Sequence, residues 1–245
     1  MSQLTVTNLS KNFGGIQAVN QVSLAVQSGE RYAVIGPNGA GKSTFFNLIA
    51  GELAVTSGTV EFAGQDITHL AVHECANLGI GRTFQRNNLF LGMSALENVR
   101  LAVQHRLGVT HHWLRSVNRY GDLNQRAEAL LAQVGLGAEA ARKVSELSYG
   151  QQRALEIALA LALDPKILLL DEPTAGMSPA ETHEMVKLIQ ELPATLTMMI
   201  VEHDMDVIFT LADRITVLHY GEVIATGTPD EVRANPQVRE IYLGA

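Results

Sequence analysis

Gly36-Pro-Asn-Gly-Ala-Gly-Lys-Ser-Thr44 lies between an apolar run, Tyr32-Ala-Val-Ile35, and Phe45-Phe-Asn-Leu-Ile49. That is the order of a strand, a glycine loop and a helix. It fits the phosphate-binding loop pattern G-x-x-x-x-G-K-[ST] at every specified position. The glycines let the backbone wrap with the N–H groups of Gly36, Asn38, Gly39, Ala40 and Gly41 inward, a concave anion site at a helix N-terminus. Lys42 would reach the β- and γ-phosphates, the Ser43 hydroxyl would hold Mg²⁺, and Thr44 would add a donor. Read alone the stretch is also an ordinary glycine turn. The flanking strand and helix signals favour a nucleotide.

Working outward, 245 residues at 47% hydrophobic suffice for one substantial core or two small lobes. A net charge of −7 offers no generally basic surface, so nucleic acid is not an expected partner. The single cysteine, Cys75, forbids a disulfide within the chain and agrees with a reducing cytosol. The stretch Met1-Ser-Gln-Leu-Thr-Val-Thr alternates like a strand and does not read as a signal peptide. The longest apolar stretches, Leu155 to Leu163 and Ile167 to Leu170, are too short to cross a bilayer. Any membrane role would come through a partner.

Residues 4–9, 19–26, 31–35 and 58–63 read as strands, and 43–50 as the helix after the loop. From about 72 to 163 the pattern turns helical, with Ala95, Leu96, Val99 and Val103 on one face and Ala127, Leu130, Leu131 and Val134 on another. Ile167-Leu-Leu-Leu170, Thr197-Met-Met-Ile-Val201 and Ile215-Thr-Val-Leu218 suit buried parallel strands, with helices over 181–192 and 204–212 between them. The fold class is α/β, interrupted by a helical insertion. His105, His111 and His112 lack an accompanying carboxylate or Cys at ligand spacing, so no metal is expected there. Trp113 with Leu107 and Leu114 reads as local helix core or a partner-facing patch. The last turns, 228–245, either pack back on the core or stay mobile.

Four later motifs narrow the possibilities left by the loop. Ile167 to Leu170 ends in Asp171-Glu172-Pro173, two carboxylates at a strand tip, where α/β folds bind ligands. Asp171 can hold Mg²⁺ through water, and Glu172 can accept a proton from the attacking water. Leu147-Ser148-Tyr149-Gly150-Gln151-Gln152 places a hydroxyl and free N–H groups at a helix start. That stretch resembles LSGGQ, the signature of the ATP-binding cassette (ABC) ATPases, and the Tyr149 form resembles the LSYGQQ of a branched-chain amino acid subgroup. Taken alone, Ser148 is an ordinary N-cap.

The resemblance extends to Arg82-Thr83-Phe84-Gln85, similar to the family's Q-loop, and to Ile200-Val201-Glu202-His203-Asp204, similar to its switch histidine. It implies that Gln85 touches Mg²⁺ or the attacking water. It also implies that His203 donates to the γ-phosphate and that Phe13 stacks on adenine, although a core Phe is the plainer reading. The motifs stand in the family's order over nearly the whole chain.

The implied fold is a P-loop NTPase with a RecA-like core, an antiparallel β subdomain and a helical subdomain. Residues 1–85 and 156–227 would form the catalytic core, 86–155 the helical signature subdomain and 228–245 a C-terminal tail. The implied activity is ATP hydrolysis with Mg²⁺, in a head-to-tail pair of cassettes. Each ATP would lie between Lys42 of one chain and Ser148, Gly150 and Gln151 of another. The second cassette could be identical or different. Transmembrane permease subunits and, indirectly, a substrate-binding protein are the further partners, at the cytoplasmic face of the membrane. Phe84 to Asn98 and Asn235-Pro-Gln-Val-Arg-Glu-Ile-Tyr-Leu-Gly244 resemble branched-chain amino acid importers of the LivG type. Related cassettes serve urea and short-chain amide import and lipopolysaccharide export. A soluble, non-transport ABC ATPase is the rival of another class. Two departures stand out: Ser178 replaces the usual D-loop aspartate, and Leu159 stands where many relatives carry Arg.

Overall fold

A computed structural model of the chain describes residues 2–83, 89–107 and 121–243. The expectations for Phe84 and Gln85, and for His111, His112, Trp113 and Leu114, concern residues outside that range.

Two compact units emerge, one of Met1–Ile80, Ile167–Glu172 and Pro193–Ala245, the other of Gly81–Lys166 and Pro173–Leu192. In the first, β1 (Ser2–Phe13) and β2 (Ile16–Gln27) form an antiparallel hairpin, extended by β4 (Ser57–Phe62) and β5 (Gln65–Asp66) in the order β2-β1-β4-β5. Leu4, Val6, Val22, Leu24 and Val26 alternate inward, the signature of a sheet covered on one face. The hairpin outruns the strands expected from pattern. Asn8 and Gln21 adopt left-handed φ of 48° and 49° at register shifts, and such bulges carry a twisted pair onward through a polar stretch.

β3 (Arg31–Ile35), β7 (Ile167–Asp171), β8 (Thr197–Val201), β9 (Arg214–His219) and β10 (Glu222–Gly227) build the second sheet, in the order β10-β9-β3-β8-β7 with β6 (Ile80–Arg82) at the far edge. β3, β7, β8 and β9 run parallel, and every residue of β7 and β8 is buried, as a sheet covered on both faces requires. Strand β6 corrects the expectation of helix throughout 72–163. Helix α2 (Val72–Leu78) ends at Gly79, whose φ of 109° turns the chain into an edge strand. Helix α1 (Lys42–Ile49) buries Phe45 and Phe46 in a core shared with Leu4, Phe62, Leu169 and Met199.

In the second unit α3 (Ala95–Arg106), α4 (Gly121–Gln133), α5 (Tyr149–Leu161) and α6 (Pro179–Glu191) pack together over Val99, Ala127, Leu131 and Leu155. Back in the first unit, α7 (Met205–Leu211) follows β8, and α8 (Pro229–Ala234) and α9 (Pro236–Leu243) end the chain. Val232 and Val238 are buried, so the tail packs back on the core. Helices α3, α5, α6 and α8 each open with a reciprocal capping box: Ser94 with Glu97, Ser148 with Gln151, Ser178 with Glu181, and Thr228 with Glu231.

Candidate active site

The register pairs Val34 and Asp171 each with Val201, so β3, β8 and β7 deliver Gly36, Glu202 and Glu172 to one edge of the sheet. The glycine loop springs from the first tip. Gly41 has φ 98°, and a Cβ there would stand 2.2 Å from the Ala18 carbonyl oxygen, so only glycine lets the loop close on β2. Gly41 is also the N-cap of α1. It brings no side-chain cap, and no acidic residue follows in the first turn. The first N–H groups of α1 are therefore left for an anion.

Lys42 is buried, with its Nζ donating to the carbonyl oxygens of Gly36 (2.6 Å) and Pro37 (3.1 Å). Burial pushes its ammonium below the usual lysine range, and the charges of Glu172, Asp171 and Glu202 pull the other way. A cation so placed inside an acidic group suits a ligand that carries both phosphate charge and a metal. Ser43 and Thr44 are half-buried beside it.

Asp171 is 2% exposed. Glu172 adopts φ 48°, rare for a residue with a side chain, and its N–H donates to the Val201 carbonyl at 2.8 Å. Such backbone strain collects at functional positions. Glu202 is fully buried, and its Oε2 accepts from the His203 N–H at 2.9 Å and lies 3.5 Å from His203 Nδ1. The His203 ring stays largely exposed. Sequence reasoning had passed over Glu202. The signal was a carboxylate directly after a buried apolar strand, where only a partnered charge survives.

Phe13 lies at the tip of β1 and is 46% exposed, so it is not a core residue; Lys11 Nζ stands 5.1 Å from its ring centroid. Ser148, Gly150 and Gln151 belong to the second unit. Ser148 Oγ accepts from the Gln151 N–H at 3.2 Å, Gln151 Oε1 accepts from the Ser148 N–H at 3.0 Å, and the Gly150 N–H donates to Glu181 Oε1 at 3.4 Å. The plain N-cap role of Ser148 is thus real, and it corrects the expectation of free N–H groups here, since those of Ser148, Gly150 and Gln151 are taken up by the cap and by Glu181; the Ser148 side chain remains exposed at the helix tip. Ser178 likewise caps α6, accepting from the Glu181 N–H at 3.4 Å. The same unit carries a cleft of about 240 Å³ lined by Leu89, Phe90, Leu101, Glu156, Leu159 and Leu163. That is smaller than the ~300 Å³ lower bound typical of small-molecule pockets. Leu159 adds to its apolar wall.

Comparison with known proteins agrees with this geometry. Residues 19–175 match the family described as ABC transporter, and residues 222–245 match the one described as branched-chain amino acid ATP-binding cassette transporter. The chain is 41% identical to the high-affinity branched-chain amino acid transport ATP-binding protein LivG of Salmonella typhimurium, over 100% of this chain and 99% of that protein. The crystal structure of the ADP conformation of MJ1267, an ATP-binding cassette of an ABC transporter, superposes with a TM-score of 0.88 at 33% identity, covering 100% of both chains. The dimeric structure of MJ0796, a bacterial ABC transporter cassette, gives 0.77 at 30% identity over 92% of this chain and 98% of that one. With its phosphate loop, its acidic strand tips and these full-length likenesses, the chain belongs to the ABC transporter family, as an ATP-binding, ATP-hydrolysing cassette of the P-loop fold.

Proposed function

We propose that this cassette powers the import of branched-chain or related amino acids, as one of two cassettes attached to membrane-spanning permease subunits. The convergence of Lys42, Asp171, Glu172, Glu202 and His203 through three adjacent strand tips supports the hydrolytic role. The match at residues 222–245 and the full-length likeness to LivG support the cargo.

Phe13 stacks on the adenine. The N–H groups of Gly36, Asn38, Gly39, Ala40, Gly41, Lys42, Ser43 and Thr44 cradle the phosphates, with Lys42 Nζ on the β- and γ-oxygens. Ser43 and Asp171 would hold Mg²⁺, with Gln85 as the third ligand that the family resemblance implies, and the ion would supply charge that neutralises the phosphate oxygens. Glu172 takes a proton as water attacks the γ-phosphorus and the bond to the β-phosphate oxygen breaks, releasing ADP and phosphate. His203 donates a hydrogen bond to the γ-phosphate and keeps the water in line. Ser148, Gly150 and Gln151 of a second cassette close the site, because they form a helix tip at which the Ser148 hydroxyl is exposed. The γ-phosphate charge joins the two surfaces, and its loss lets them part. That second cassette is either another copy of this chain or a related one.

No helix among the described residues is long and apolar enough to cross a membrane. The chain's likeness to the ATP-binding protein of a membrane transporter supports action from the cytoplasmic face through its partners. The cleft in the helical unit, with Phe90 59% and Leu101 39% exposed at its rim, is where the permease docks. The binding protein acts only through the permease.

The substitution Glu172→Gln keeps the shape and removes the base. ATP turnover should fall on the order of 10²-fold or more, and ATP should then hold a dimer on size-exclusion chromatography. Undiminished turnover would remove Glu172 from the chemistry. In proteoliposomes with the permease and a leucine-loaded binding protein, ATP-driven leucine uptake is expected. Uptake of urea without leucine would reassign the cargo.

A further inference from the structure

Tyr149, Arg153 and Glu156 take no part in the hydrolysis chemistry, yet they form a continuous chain along one side of α5. Their spacing, four and then three residues, puts them one above the other on the helix. Arg153 Nε donates to Tyr149 Oη at 3.1 Å, and the guanidinium carbon stands 5.4 Å from the Tyr149 ring centroid. Arg153 Nη1 donates to Glu156 Oε2 at 2.8 Å, with the two residues 8% and 6% exposed. A buried ion pair of this kind adds little net stability compared with apolar side chains of the same volume.

Both ends of the chain touch something functional. At one end, a methyl group added to Gly176 would lie 3.7 Å from Tyr149 Cε1 and 3.9 Å from its hydroxyl, so the ring covers the turn leading to Ser178 and α6. At the other, Glu156 lines the cleft with Phe90 and Leu101, and its Oε1 is buried with no hydrogen-bond partner among the described residues. Burial also pushes the Glu156 carboxyl above its usual range, with Arg153 opposing that shift. A buried carboxylate with one oxygen left unpaired is costly, so its energy depends on what packs against it in the cleft.

We propose that Tyr149 is a positioning residue that joins the docking cleft to the ATP-gripping tip: its ring steadies the Gly176 turn, and its hydroxyl is held by Arg153, which Glu156 orients from the cleft wall. Occupation of the cleft then sets how Ser148 and the Gly176 turn are presented to a second cassette. This rests on the reading of the cleft as the permease site.

The test uses the intact transporter in proteoliposomes, measuring ATP turnover with and without loaded binding protein. Tyr149→Phe removes only the hydroxyl, and Glu156→Gln only the charge. Each should cut the stimulation about fivefold while KM for ATP moves less than about twofold, and the double variant should lose about fivefold rather than about twenty-five-fold, because coupled residues are not additive. Arg153→Lys, which keeps the charge without the fork, should match the single losses. Full stimulation in Tyr149→Phe, multiplicative losses in the double variant, or a loss expressed as raised KM would each overturn the proposal. An unstimulated wild-type complex would instead overturn the docking reading, and the proposal would fall with it.

Discussion

Gly41 carries two constraints at one atom. Its φ of 98° is hostile to a side chain, and an added Cβ would meet the Ala18 carbonyl oxygen at 2.2 Å, a contact that backbone cannot relieve by rotating. Gly41→Ala should therefore cost about 1–3 kcal/mol of stability from backbone strain and displace the first turn of α1. Binding of a fluorescent ATP analogue should weaken with it; a variant of wild-type affinity and melting temperature would show that the loop has another way to close. Gly39, by contrast, has φ 81° with open space around its Cβ direction, so strain alone is at stake there. The glycine pattern showed that the loop bends. It did not show which glycine is pinned by a neighbour, because Ala18 lies on another strand.

Helix starts are the elements most open to reading, since a cap is a contact three residues long. Thr228-Pro-Asp-Glu231 is such a start, although the sequence reading took 228–245 only as a tail: Thr228 and Glu231 form the capping box of α8, and Pro229 opens its first turn. Thr228→Ala should cost about 1 kcal/mol while leaving ATP turnover unchanged, by chemical denaturation and by rate. The carboxyls of Glu97 and Glu231 are held below 4.5 chiefly by the N-cap amides of Ser94 and Thr228, and that of Glu181 chiefly by the Ser178 hydroxyl. The ionised form is the capping form. Its contribution is therefore present above pH 4.5 and is lost as pH falls through the depressed folded values. A Glu97→Gln, Glu231→Gln variant should lose less stability than wild type between pH 6 and about pH 3, in melts at constant ionic strength. Equal losses would mean that these caps do not titrate with folding. Strands were read less well. β6 and β10 are short or half-exposed and carry no long apolar run, and β1 and β2 outlast their apolar pattern through bulges.

For the molecule as a whole, the C-terminal tail is structural. Val232 and Val238 are 1% and 3% exposed, and the Tyr242 phenol is pushed above its usual range by burial, with the Gly36 backbone beside it. The tail thus reaches the base of the phosphate loop. Truncation after Gly227 should cost on the order of 3 kcal/mol from the two valines alone and lower the melting temperature by several degrees. An unchanged melting curve would show the tail to be dispensable for folding. The assembly into two compact units also follows chain contacts rather than chain order. Residues 173–192 lie with the helical unit although they follow β7 directly in sequence.

Local chemistry was enough to read the phosphate loop, the acidic end of β7, the helix tip at Ser148 and the order of strands and helices around them. Each of these is a contact or a periodicity spanning fewer than about ten residues, or a motif series in a known order. Packing at long range decided the rest. Glu202 became part of the site because β8 lies between β3 and β7, a neighbourhood set by sheet topology. Tyr149 came to lie on Gly176, and the tail folded back to Gly36, because burying apolar surface brings together segments far apart in the chain.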